Sequence, residues 1–196
     1  MARIHPLLTA NGYAAAHYNL NYTFYRTIFS KRFLQYAYQT GKSRFNAIQG
    51  PHADLVFQRI DQANKRLHEK FGLLPYNEFL RLLDVIRQGQ NYLSSRYFPT
   101  YVSLDCGIEM RYSPYKVKDI LRAVNDEKSN ICIPFYKEWV LPEVEKESPD
   151  CVCISMSHMN QFIPGFTLAK IMNVSCAGPV ILVGAALIKG GTSLLQ

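Results

Sequence analysis

Five hydrogen-bonding side chains crowd one short stretch of this chain: Ser155, Ser157, His158, Asn160 and Gln161. They end and follow an apolar run, Cys151-Val152-Cys153-Ile154-Ser155-Met156, with the length and composition of a buried strand. In an open parallel sheet, ligands bind in the crevice beyond the carboxyl ends of the strands, which is where such a loop would lie. The same side chains could instead cap the next helix, and composition leaves both roles open. A second apolar run, Pro179-Val180-Ile181-Leu182-Val183-Gly184, ends in glycine, and Gly190 and Gly191 follow. Glycine at those points would allow close backbone approach to a ligand. Neither a phosphate loop nor G-x-G-x-x-G is present, so nucleotide binding of those two kinds is not expected.

The remaining reactive residues are scattered. Cys106, Cys132, Cys151, Cys153 and Cys176 make an odd set without C-x-x-C spacing, and no signal-peptide pattern precedes them. That usage points to a reducing cytoplasm. Cys151 and Cys153 alternate within an apolar run and should share one strand face as buried, inert thiols. The five histidines (His5, His17, His52, His68 and His158) include no H-E-x-x-H or close pair, so no zinc site is legible.

A net charge of +7 on 196 residues admits a phosphate-bearing ligand, nucleic acid or an acidic surface. The basic residues are spread out, with short runs only at Lys31 with Arg32 and Lys65 with Arg66. A solvated face is the expected reading, and nucleic acid is not the expected partner. The longest apolar stretch, residues 174–187, is short and holds Gly178, Pro179 and Gly184, whereas a spanning helix needs about 20 apolar residues. No membrane association is expected.

These residues must be positioned by a fold of roughly one domain. Asn11-Gly12 supplies a helix end or turn, after which residues 13–20 read as extended. Aromatic residues at steps of four predict helix over residues 22–39. Two helices are expected between residues 50 and 98, one burying Val56, Ile60, Ala63, Leu67 and Phe71, the other Phe79, Leu82, Leu83, Ile86 and Leu93. Gly72 and Pro75 mark the join. Ser113-Pro114 predicts a capped helix start, with Val117, Ile120, Leu121 and Val124 as its buried stripe. Residues 130–147 predict a further helix interrupted by Pro134 and Pro142. Phe162, Phe166, Ala169 and Met172 set a helix between the two apolar runs, so residues 149–186 form a βαβ unit.

Several stretches, in this order, resemble one family. They are residues 111–126 (Arg-Tyr-Ser-Pro-Tyr-Lys-Val-Lys-Asp-Ile-Leu-Arg-Ala-Val-Asn-Asp), Leu141-Pro142-Glu143-Val144-Glu145, Pro149-Asp150, Cys153-Ile154-Ser155 and residues 161–170 (Gln-Phe-Ile-Pro-Gly-Phe-Thr-Leu-Ala-Lys). Residues 8–12 (Leu-Thr-Ala-Asn-Gly) and 18–25 (Tyr-Asn-Leu-Asn-Tyr-Thr-Phe-Tyr) add an N-terminal match. Together they are similar to the N-terminal cobalamin-binding domain of radical S-adenosylmethionine proteins of the peptide-maturation type. The likeness covers about two thirds of the chain and is least distinctive over residues 50–98.

The resemblance implies an α/β fold: a partial Rossmann-like parallel sheet of the cobalamin-binding type, with a mostly helical insertion at about residues 50–98. It implies a single partial domain over residues 1–196. The family's opening strand and later strands are missing, so the chain is expected to be a fragment. The implied function is to hold a corrinoid for methyl transfer or related radical chemistry, carried out by a barrel in the same or a neighbouring chain. Asn19, Asn21, Ser155, Ser157, Gln161 and Gly184 are the expected cofactor-facing residues. Without a D-x-H-x-x-G motif no residue is named as a cobalt ligand, although His158 lies in the corresponding loop. The C-x-x-x-C-x-x-C motif that would hold an iron–sulfur cluster for S-adenosylmethionine cleavage is also absent. Catalysis by this chain alone is therefore not expected. The alternatives are a helical interaction module whose basic surface binds RNA or a partner protein, and a degenerate copy without ligand.

Overall fold

A computed structural model describes residues 4–40, 51–104, 107–175 and 180–185. Helices dominate: α1 (Ile4–Ala10), α2 (Leu20–Ile28), α3 (Lys31–Thr40), α4 (Pro51–Lys70) and α5 (Tyr76–Arg96) fill the first half. A short antiparallel hairpin, β1 (Tyr101–Ser103) and β2 (Gly107–Glu109), follows. Beyond it come α6 (Val117–Ala123), α7 (Cys132–Phe135), a π-helical turn (Tyr136–Val140) and α8 (Leu141–Glu147). The chain then forms β3 (Cys151–Met156), α9 (Phe162–Ser175) and β4 (Val180–Ala185), with β3 and β4 paired in parallel. The protein is thus mixed α/β and mostly helical. Among the described residues no parallel sheet wider than this pair is present, and no helix is long and apolar enough to cross a membrane.

The core forms where the aromatic-rich α2 and α3 meet the long hairpin α4–α5. Phe24, Ile28, Phe33 and Leu34 are buried against Val56, Phe57, Ile60 and Leu93. Phe24 meets Phe135 edge to face at 5.0 Å, an arrangement aromatic quadrupoles favour. That contact fastens the N-terminal helices to α7, and α7 in turn packs on α9. As the sequence predicts, Val56, Ile60, Ala63, Ile86 and Leu93 face inward, while Leu67 and Leu82 are half-buried.

Several expectations are corrected. Residues 13–19 are not a strand: they belong to neither of the two strand pairs among the described residues, and Tyr13 and Tyr18 are exposed. α6 starts at Val117 rather than beside Ser113-Pro114. The Ser113 hydroxyl instead accepts the Tyr115 amide at 3.3 Å, and the Ser113 amide donates to Asp119 at 3.3 Å, closing a turn before the helix. Two turns of helix bury Ala123 and Val124 against α9 and leave Val117 and Leu121 in solvent. In α9 the buried residues are Ile163, Gly165, Thr167, Leu168, Ile171 and Met172, whereas Phe166 is exposed. Its sequence is apolar nearly all round, so spacing alone could not choose the inward face.

The helix expected over residues 130–147 begins at Cys132, and just before it the Asn130 Oδ1 accepts the Cys132 amide at 3.0 Å. Pro134 lies in the first turn, where its missing N–H has no helical acceptor. Pro142 would clash with the carbonyl of an ordinary preceding turn, and the wider π-helical turn lies directly before it.

Asp126 organises the turn into α7. Its Oδ1 accepts the Lys128 and Ser129 amides at 3.2 and 3.1 Å, and its Oδ2 accepts the Tyr112 hydroxyl at 2.8 Å. Burial pushes its carboxyl up, but the Tyr112 and Ser129 hydrogen bonds and the Arg111 guanidinium outweigh it and hold the pKa below the usual value. Asp126→Ala is expected to cost about 1–2 kcal/mol at neutral pH by loss of these bonds. Because the folded pKa is depressed, the carboxylate's contribution is present above the unfolded value of about 4 and fades as pH falls through the folded one. Urea unfolding of both proteins at neutral and acidic pH should show their difference shrinking in acid, and a pH-independent gap would contradict this account.

Candidate functional site

The parallel pair places Ser155 opposite Gly184 and Met156 opposite Ala185 at its carboxyl end. Burial alternates along β3: Ile154 and Met156 lie under α9, while Cys151, Cys153 and Ser155 point to the opposite face, where the described residues leave them exposed. The expectation of buried thiols at Cys151 and Cys153 is therefore corrected, since α9 covers the opposite side only. Of the other cysteines, Cys132 is buried, and burial pushes its thiol pKa well up. Cys106 and Cys176 lie outside the described residues, as do Pro179, Gly190 and Gly191.

α9 can approach β3 closely because Gly165 faces it. A Cβ built there would fall 2.4 Å from Met156 Sδ and 2.9 Å from Met156 Cγ, so only glycine fits that spacing as it stands. The connection between the two elements is a turn of 3₁₀ helix, Met159–Gln161, leading straight into α9. Gln161 shapes it: its Oε1 accepts the Ser157 amide at 2.6 Å and the His158 amide at 3.2 Å. Gln161 thus caps the turn. Ser155, Ser157 and His158 are exposed, and among the described residues the Ser155 and Ser157 hydroxyls have no hydrogen-bond partner. Space beside Gly184 is open, with no atom within 4 Å of where a Cβ would lie.

Asn19 and Asn21 lie at the start of α2 rather than after a strand. The Asn19 Oδ1 accepts the Tyr22 amide at 3.1 Å, the usual duty of a helix N-cap. Asn21 is exposed in the first turn. One helical turn further on, Tyr25 reaches the hairpin, its hydroxyl 3.4 Å from the Ser103 carbonyl. A Cβ at Gly107 would be 3.3 Å from that hydroxyl and 3.7 Å from Asn160 Nδ2. The hairpin therefore sits between α2 and the loop that follows β3. Burial, with a smaller contribution from Cys132, raises the Tyr25 phenol pKa, so it remains protonated. The sequence reading missed this hairpin, whose signal was the apolar pairs flanking Gly107 in Tyr101-Val102-Ser103 and Gly107-Ile108-Glu109.

A second concave feature runs between α4 and α5, an open groove of about 950 Å³. Arg59, Arg66 and Arg81 line it with Leu55 and Leu80, and Glu78 and Asp84 also face it. Arg66 pairs with Glu78, leaving its buried Nε without a hydrogen-bond partner. Asp84 accepts from the Gln88 amide at 2.7 Å. Among the described residues Arg59 and Arg81 have no carboxylate partner. The spacing of Arg59 and Arg66, seven residues on one helix face, was the available sequence signal.

No group of three or more His, Cys, Asp or Glu side chains among the described residues is arranged to hold a metal ion. Compared with known proteins, the chain matches no family model, no curated protein and no solved structure.

Proposed function

We propose that the chain is a corrinoid-holding module, with the β3–α9–β4 unit as part of a Rossmann-like sheet and its carboxyl end as the binding rim. The observation that carries this reading is the exposed Ser155 paired in register with the open Gly184 at the end of two parallel strands. A flat macrocycle fringed with amides needs room for close backbone approach and polar groups at its edge. Gly184 offers the first, and the free hydroxyls of Ser155 and Ser157 offer the second. Gln161, its oxygen engaged by the turn, shapes the loop instead of serving the ligand. Asn19 caps α2 and is left out of the rim, together with Asn21 beside it. A bound corrinoid would supply methyl-transfer chemistry to a radical S-adenosylmethionine barrel in the same or a neighbouring chain. Cleavage of S-adenosylmethionine at an iron–sulfur cluster would belong to that barrel.

Equilibrium dialysis against hydroxocobalamin tests the reading directly. The expected Kd is about 1–100 μM, equivalent to about −8 to −5.5 kcal/mol. Gly184→Leu, placed in open space, should fold normally and weaken binding at least about tenfold, a loss of roughly 1.4 kcal/mol. No uptake by the unaltered chain would reject the proposal.

A basic interaction module is the second reading, favoured by Arg59 and Arg81 beside exposed Leu55 and Leu80 in the α4–α5 groove. Such a module would take RNA or an acidic partner protein. Steep loss of RNA binding with salt would indicate phosphate contacts and counterion release.

A further inference from the structure

The face of β3 turned away from α9 carries two thiols that the corrinoid reading leaves unused. Cys151 and Cys153 are both free and both exposed. They are alternate residues of one strand, so their side chains leave the same face of the β3–β4 pair. At a rise of about 3.3 Å per residue, their Cα atoms stand roughly 6.6 Å apart. We propose that Cys151 and Cys153 form a two-thiolate site for a soft monovalent cation, copper(I).

The choice of ion follows from what surrounds the pair. Zinc in a structural site takes four ligands in tetrahedral geometry. The described residues assemble no third His, Cys, Asp or Glu beside these two. Copper(I) is selected by soft thiolate ligands, and two of them suffice for a linear complex. With metal–sulfur bonds of about 2.3 Å, as for zinc, the sulfurs of such a complex stand roughly 4–5 Å apart. Neighbouring side chains on one strand face can span that gap without moving the backbone. Binding is a simple exchange: each thiol releases its proton to solvent and each sulfur donates one electron pair to the metal. Copper stays in the +1 state, so no oxidant or reductant is consumed.

The site is independent of the corrinoid proposal, because its ligands precede the rim and do not include Ser155 or Gly184. Copper(I), supplied as its acetonitrile complex under argon, is titrated into the full chain against bicinchoninate. One ion per chain is expected. Cys151→Ser and Cys153→Ser should each weaken binding more than about 100-fold, since losing even an outer-shell partner costs 10–100-fold. A Cys106→Ser/Cys176→Ser double variant should retain the affinity. Thiol counting gives an independent readout in the unaltered chain: copper(I) should protect two thiols from alkylation, identified by peptide mapping as Cys151 and Cys153. Full affinity in either single variant, or protection that maps to other cysteines, would overturn the assignment.

Discussion

Asn130→Ala is expected to destabilise the fold by about 3–5 kcal/mol, a large loss for one exchange of small side chains. Asn130 is fully buried, and its amide holds three chain segments at once. Its Nδ2 donates to the Ala123 carbonyl and to the Thr167 hydroxyl, both at 2.9 Å, while its Oδ1 accepts the Cys132 amide. Alanine would strand the buried Cys132 N–H at about 1–3 kcal/mol, remove one of two bonds to the Ala123 carbonyl (the Asp126 amide keeps the other, at 3.2 Å), and leave a small cavity. In that variant the Thr167 hydroxyl keeps its bond to the Ile163 carbonyl at 2.7 Å; Thr167→Val removes this bond and the acceptor for one Asn130 N–H but strands no backbone group, and should cost less, about 1–2 kcal/mol. The two changes should also couple, with a double-mutant interaction of at least about 0.5 kcal/mol. Urea unfolding of the four proteins measures all of this. If Asn130→Ala fell within 1 kcal/mol of the parent, the junction of α6, α7 and α9 would not rest on this side chain.

Nothing in the sequence around Asn130 announces that role, and the reason is instructive. What the residues disclose well is structure closed by local signals. Cys151-Val152-Cys153-Ile154-Ser155-Met156 became β3 with those limits because an apolar run bounded by polar residues carries its own length. The α4–α5 hairpin was legible because Gly72 and Pro75 break two long periodic stretches. Features that depend on a distant partner were not legible. Residues 13–19 have a strand-like look, but a strand exists only where another backbone receives its hydrogen bonds. The thiols of Cys151 and Cys153 alternate as expected, yet whether that face is covered depends on what packs there. Within the candidate site the same division holds. Ser155, Ser157 and Gly184 could be placed on a rim from the βαβ pattern. The use of Gln161 as a turn cap, and the approach of Tyr25 through the β1–β2 hairpin, needed three-dimensional contacts.

Gly165 is where the packing of that βαβ unit is most exposed to test. Valine there is expected to cost about 3 kcal/mol, at the upper end for overpacking a filled core. A Cβ would fall 2.4 Å from Met156 Sδ and 3.7 Å from Ile154 Cγ2, and the buried Met156 has little room to retreat. Helix propensity works the other way: alanine gains about 1 kcal/mol over glycine in a helix, so Gly165→Ala should lose less than valine. A steric origin can be separated from a propensity effect by shortening the opposing side chain. Met156→Ala alone should cost about 2–5 kcal/mol through the cavity it opens. Added to Gly165→Val, it removes the clash while the valine methyls fill the space. The double variant should then be more stable than the sum of the single losses implies, by about 1–3 kcal/mol. Additive losses would mean that α9 does not lean on β3 through this contact. The same pair bears on function, because Met156 ends β3 and Gly165 lies in the first turn of α9, one on each side of the loop that shapes the rim. Measured well below its unfolding transition, Gly165→Val should lose corrinoid affinity, and the Met156→Ala/Gly165→Val protein should regain part of it. Recovery of stability without recovery of binding would place the corrinoid site elsewhere on the chain.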